Sequence, residues 1–365
     1  MAFKSARNGK IEFLRFVFCV VIMLFHIGDT VLGLDYRLVG DVSLFSKGYF
    51  GVEFFFVVSG YLMAASAFKN QSKVIPLGRD TFNFMQRKVM AVLPYHLIVF
   101  TITFVGVCIL EQYSFMGIAK RFLSAIPNLL LISRSGLANT DILGVEWYIA
   151  DMLIAMLILY PLCRRYYDRF TKIVAPVFAV MIVGYLIKTT GTLSGSTAWS
   201  GLVAKTFLRA VSELCAGVFV FELCRNIKKL NFTKTDRAFL TVIELCSYIA
   251  VALFMVMANI QGKFGGQFLI FICVGVCLSF SGITYGNSLF NNSFVYFLGS
   301  LSLPLYLCHS LTRRIAANCL GDMSNLYKIT IFFVLSFAMA FVLMPVEKGL
   351  RKMINNKMNH LGIKI

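Results

Sequence analysis

Acidic residues are scarce in this chain. Seventeen Asp and Glu stand against 35 Lys and Arg, for a formal net charge of +18. Charge of either sign is thin, at 14% of residues, while 58% are hydrophobic and the mean hydropathy is +0.78. A soluble surface needs more charge and less apolar area than this, so the chain reads as a polytopic membrane protein. Proline is rare, with 7 residues against 36 Phe, which suits packed helices. The apolar runs are continuous and do not alternate, which excludes a transmembrane β-barrel. Also missing are a Walker-type glycine loop, a G-x-S-x-G elbow and an H-E-x-x-H pair. ATP hydrolysis, soluble serine hydrolysis and zincin chemistry therefore have no support.

The ten cysteines form no C-x-x-C pair and no Cys/His cluster with metal-ligand spacing. Most lie in apolar runs, where a thiol behaves as a small hydrophobe, so no metal is expected. The strong positive charge does not point to nucleic acid, because the basic residues are spread through the segments between apolar runs and nothing resembles a nucleic-acid module. Topology and attraction to anionic membrane lipids explain it better, with a polyphosphorylated substrate as a further partner. Lys4, Arg7 and Lys10 precede the first apolar run as in a signal peptide, but Glu12, Arg15 and His26 interrupt that run. It is expected to remain as an uncleaved first span.

The expected spans are 11–28, 50–68, 89–110, 146–163, 173–188, 205–224, 238–258, 267–284, 294–311 and 328–345. They define an all-α bundle of about ten transmembrane helices forming a single domain over 1–365. The stretch 122–132, interrupted by Pro127, is too short to cross and is expected to be re-entrant or interfacial. Segment 189–204, rich in Gly, Ser and Thr, reads as a flexible outer loop. The segments on the side of the N-terminus carry 22 Lys and Arg and the opposite ones 8. The imbalance places both termini in the cytoplasm. Arg313 and Arg314 go against it and suggest a local role.

Arg15 and His26 stand out within IEFLRFVFCVVIMLFHIG (11–28). Eleven residues return a helix to within about 20° of the same face and advance it by roughly 16 Å, so one stripe carries a cation and an imidazole at different depths. Ionisable groups inside a span are costly and usually functional. A snorkelling Arg and a satisfied His are the plain alternative. Asp29, one turn beyond His26, is placed to orient the imidazole, and Glu12 to pair with Arg15. A neutral His suits removal of a proton from a hydroxyl.

The remaining candidates fall into groups. Small residues in GYFGVEFFFVVSGYLMA (48–64) permit close helix approach, while Glu53 is a candidate for a cavity beside His26. Arg87 and Lys88, at the cytoplasmic start of the third span, could bind the phosphates of a donor or simply anchor the helix. Asp141, Glu146, Trp147, Tyr148 and Asp151 gather carboxylates and aromatic rings at the outer side, where rings anchor a helix or stack on sugars. His309 is a further acceptor-site candidate near the outer face. Arg209 and Glu213, at i and i+4, read as a structural intramembrane ion pair.

With these pieces in place, the whole chain resembles the acyltransferase 3 family of integral membrane acyltransferases. The likeness rests on Arg15-x10-His26, GVEFFFVVSGYLM (51–63), RKVMAVLPYH (87–96), EWYI (146–149) and YLCHS (306–310). It implies transfer of an acyl group, most often acetyl from acetyl-CoA, to a hydroxyl of a carbohydrate, with Arg15 and His26 required. It also suggests a bacterial inner membrane. Some members of that family carry an extra hydrolase-like domain, and none is expected within this chain. The residues and the resemblance converge on an O-acetyltransferase of a cell-surface or exported glycan. The donor that the resemblance implies is acetyl-CoA or another acyl-CoA. His26 is expected to act as general base or transient acyl carrier. The competing expectations are a proton-coupled transporter or exporter of a glycan or acidic metabolite, and a scaffold without chemistry. The sequence says nothing of oligomeric state.

Overall fold

The computed structural model describes residues 7–33, 36–133, 142–195, 197–321 and 323–360. Asp141 lies outside the described residues. In chain order the helices are α1 (Gly9–Ile27), α2 (Gly51–Asn70), α3 (Leu77–Leu110), α4 (Phe115–Leu129), α5 (Trp147–Arg165), the single turn α6 (Tyr167–Arg169), α7 (Ala175–Thr190), α8 (Lys205–Ile227), α9 (Lys234–Val256), α10 (Gly265–Ser281), the short α11 (Asn287–Phe290), α12 (Ser293–Asn318) and α13 (Asn325–His360). Among the described residues, strand is confined to two small antiparallel hairpins, β1 (Arg37–Val39) with β2 (Val42–Ser43) and β3 (Trp199–Ser200) with β4 (Val203–Ala204). The second hairpin closes part of the segment expected to be a flexible loop.

Among the described residues, nine helical stretches are long and apolar enough to cross a membrane. The remaining expected span, 205–224, corresponds to α8. At 23 residues it has the length, but Lys205, Arg209, Glu213, Glu222 and Arg225 break its apolarity. The polytopic all-α architecture therefore stands. The short segment after the third span is a 15-residue helix, α4, that starts ahead of residue 122 on a Ser114 cap and runs through Pro127. At roughly 22 Å it is too short to cross a bilayer core of about 30 Å. Helix α3 begins at Leu77, well before the expected 89, because nothing after Pro76 breaks the helix. Its polar first turns and its apolar body are one continuous rod of about 51 Å.

The residues group into two compact units. The first holds the chain through Lys73, then Leu162–Gly195 and Leu208–Ser302. Between membrane helices the water-driven hydrophobic effect is absent, so close packing and internal polar contacts hold them together. Both are present here. A Cβ on Gly60 of α2 would collide with the backbone carbonyl of Leu214 on α8, and one on Gly217 would strike the carbonyl of Val57. Only glycine allows the two backbones to cross this closely. Stacked rings fill the neighbouring space, with centroids of Phe18 and Phe54 at 4.3 Å and of Tyr61 and Phe280 at 3.8 Å. The start of α1 is pinned by a buried ion pair. Lys10 Nζ reaches Glu244 Oε2 at 2.7 Å and Thr284 Oγ1 at 2.8 Å.

The second unit holds Val74–Pro161, Ser196–Phe207 and the chain from Leu303. Phe84 and Tyr160 stack at 3.9 Å, and the Tyr160 hydroxyl donates to Asp80 at 3.0 Å. Thr312 and Ser336 join α12 to α13 at 2.6 Å.

Candidate active site

In the first unit, α1 is one unbroken α-helix from Gly9 to Ile27, so Arg15 and His26 do share a regular helical stripe. Asn8 caps the helix and also donates to the carbonyl of Ser279 at 2.8 Å, which fixes where the helix begins. Arg15 pairs with Glu12 at 3.3 Å, the partner its spacing predicted. Glu12 is itself wedged against Gly299, where any Cβ would collide with it. Arg15 remains half-exposed and so keeps donor capacity beyond that pair.

His26 lies in the last turn, its ring 5.1 Å from that of Phe25, which meets Tyr49 edge-on at 5.8 Å. Asp29 does not orient the imidazole. It is exposed and makes no hydrogen bond among the described residues. The reason is local: past Ile27 the backbone enters a π-helical turn, Gly28–Leu32, and the regular i,i+3 relation is lost.

Glu53, Arg209 and Glu213 form one buried cluster. The Arg209 guanidinium donates through Nη2 to Glu53 and through Nε to Glu213 at 3.3 Å, and it also reaches the carbonyl of Tyr49 at 3.2 Å. Glu53 is thus the second carboxylate of the Arg209 pair. Through Tyr49 and Phe25 the cluster supports the turn of α1 that carries His26.

In the second unit, side chains of α12 hold the backbone of the segment ahead of α5. The Tyr306 hydroxyl donates to the carbonyl of Val145 at 2.7 Å, and Arg314 Nη2 donates to that of Ile142 at 2.9 Å. Arg314 thereby has the local role its unusual position suggested. The rings of Tyr148 and Tyr306 lie 5.8 Å apart, and those of Tyr306 and His309 lie 5.7 Å apart. Glu146, Trp147, Tyr148 and His309 are all buried, which does not fit simple anchoring at a lipid–water boundary. Arg87 and Lys88 lie in the polar third of α3. Arg87 is exposed, and Lys88 Nζ stands 5.5 Å from the centre of the Phe84 ring.

The acyltransferase domain profile matches residues 8–345, nearly the whole chain. The chain belongs to the acyltransferase 3 family. It is a membrane acyltransferase. No curated protein and no solved structure matches it. The matched range of this acyltransferase 3 chain takes in every candidate named so far, from Arg15 to His309.

Two polar residues of the acyltransferase went unassigned in the sequence. His96, fully buried on α3, donates from Nε2 to the carbonyl of Asn128 at 3.0 Å, and the Asn128 side-chain amide donates to Glu146. A histidine inside the apolar run VLPYHLIVF is itself a signal of a polar contact within the bundle. Asn128 gives no such signal, since its partner Glu146 lies 18 residues away, beyond α4.

Proposed function

We propose that this acyltransferase moves an acetyl group from acetyl-CoA to a hydroxyl of a cell-surface or exported glycan, with His26 as general base. The observation that supports this best is the pairing of Arg15 and His26 on one regular helix, with Glu12 holding Arg15 and an aromatic wall beside His26. His26 takes the proton of the acceptor hydroxyl as its oxygen attacks the thioester carbonyl. The new C–O bond replaces the C–S bond. The departing thiolate then takes the proton from the imidazolium, and His26 returns neutral. Arg15 steadies the donor, and Arg87 and Lys88 are assigned to its phosphates, for which guanidinium and ammonium groups are suited.

Glu146, Trp147, Tyr148 and His309 are assigned to the acceptor, since buried carboxylates and rings suit a hydroxyl-rich ligand. Glu53, with Arg209 and Glu213, is better read as a structural cluster than as a sugar contact. The whole chain acts as one acyltransferase domain in a bacterial inner membrane, with both termini in the cytoplasm, as the distribution of Lys and Arg favours.

The test uses membranes carrying wild type or His26→Ala, supplied with acetyl-CoA labelled on the acetyl group and a glycan-bearing extract. Alkali-labile label on carbohydrate is expected with wild type and at least a hundredfold less with the variant, within the usual range for losing a general base. Equal labelling by both proteins refutes the role of His26. Movement of the glycan across the membrane without any covalent label supports a transporter instead.

A further inference from the structure

Helices α7, α8, α9 and α10 of the first unit leave between them an apolar cavity of about 940 Å³. This is at the upper end of the range of small-molecule pockets, about 300–1,000 Å³. Its wall includes Val180, Leu223 and Ile270, all exposed, a costly arrangement in water and a natural one in lipid.

The cavity is polar at one end only. Lys188 stands in the last turn of α7 and Lys263 in the 3₁₀ turn Gly262–Phe264 that leads into α10. These ends adjoin, since a Cβ on Gly262 would lie 3.0 Å from Thr192 just beyond α7. Both lysines are exposed, and among the described residues neither makes an ion pair. From Lys188 the cavity runs along α7 to Pro176. That is about 18 Å of helix, close to the depth of one leaflet, about 15 Å.

A slot as long as a leaflet, apolar along its length and cationic at one mouth, matches a molecule with an acyl chain and an anionic head. We infer that the cavity binds an anionic phospholipid, with one chain lying between α7 and α10 and the phosphate held by Lys188 and Lys263. The glycan-transfer chemistry does not enter this inference, and lipid occupancy reads it without any acyl transfer.

Gly184 supplies the sharpest test. It lines the cavity, and nothing lies within 4 Å of a Cβ built there. Gly184→Leu fills the slot without displacing the wall, and leucine favours the helix more than glycine does. Lys188→Ser/Lys263→Ser removes the cations at exposed positions. Wild type and both variants are purified in mild detergent and checked for equal elution. Each is then incubated with phosphatidylglycerol or phosphatidylcholine, and bound lipids are counted by native mass spectrometry.

Wild type is expected to retain phosphatidylglycerol in preference to phosphatidylcholine. Gly184→Leu should lower retention of both, and the double serine variant should lose the preference by about tenfold while still holding phosphatidylcholine. Unchanged counts in both variants overturn the site. So does a wild-type dimer that Gly184→Leu converts to monomer, which would assign the slot to a second copy of the chain.

Discussion

The most exacting group in this chain is the Arg209 guanidinium, buried to 2% exposure between two carboxylates that are themselves fully buried. Removing only the cation leaves Glu53 and Glu213 facing each other in a low-dielectric interior. Arg209→Met should therefore cost about 3–5 kcal/mol, read as a large fall in the thermal midpoint in detergent. Neutralising the partners as well, in Arg209→Met/Glu53→Gln/Glu213→Gln, should recover most of that loss, because no unpaired charge remains. If the cluster only supports the fold, the recovered protein transfers acyl groups normally, and a stable but inactive triple variant would show otherwise. The Arg209–Glu213 half of this cluster is legible in sequence, because i and i+4 are neighbours on any helix. Glu53 is 156 residues away from Arg209, and no local rule connects them. His96 and Asn128 show the same divide. A histidine in an apolar run announces a polar contact, but its partner is set by tertiary packing.

Among the elements, α2 and α8 cross with their backbones in close approach. Gly60 and Gly217 each face a carbonyl of the opposite helix, so a side chain at either position forces two backbones apart. Gly60→Val should destabilise by about 3 kcal/mol or more, at the severe end for overpacking, because the obstacle is backbone and cannot rotate away. The thermal midpoint and the monodisperse fraction in detergent both check this. The small residues of the second apolar run foretold a close approach, and the ten apolar runs foretold the long helices. Helix limits were less legible. The start of α3 at Leu77 lies in a polar stretch that hydropathy passes over, though it is helical from the first turn. The π-helical turn after α1 likewise has no signature in GDTVL, and it is what separates Asp29 from His26.

At the scale of the whole molecule, composition alone established a helical membrane protein, and two consecutive motifs were enough to suggest the family that the profile match establishes. The two compact units were invisible in sequence, because each is assembled from three separate stretches of chain. The 22 to 8 division of Lys and Arg yields a prediction at this scale. A reporter that fluoresces only in the cytoplasm should be bright when fused to the C-terminus, and a reporter active only outside should be silent there. The opposite pattern would invert every assignment of donor and acceptor sides.

The charged residues of α8 also bear on how the protein is made. An Arg at the centre of a helix opposes its partitioning into lipid by about 2.5–3.5 kcal/mol, and α8 carries five charged residues along its length, so it is a poor candidate to leave the insertion machinery by itself. Its counter-charge, Glu53, is synthesised earlier, on α2. The order of the chain thus delivers the receiving carboxylate before the arginine that needs it. Helix α2 must still be within reach when α8 emerges, which makes insertion of the eighth helix an act of assembly as much as of partitioning.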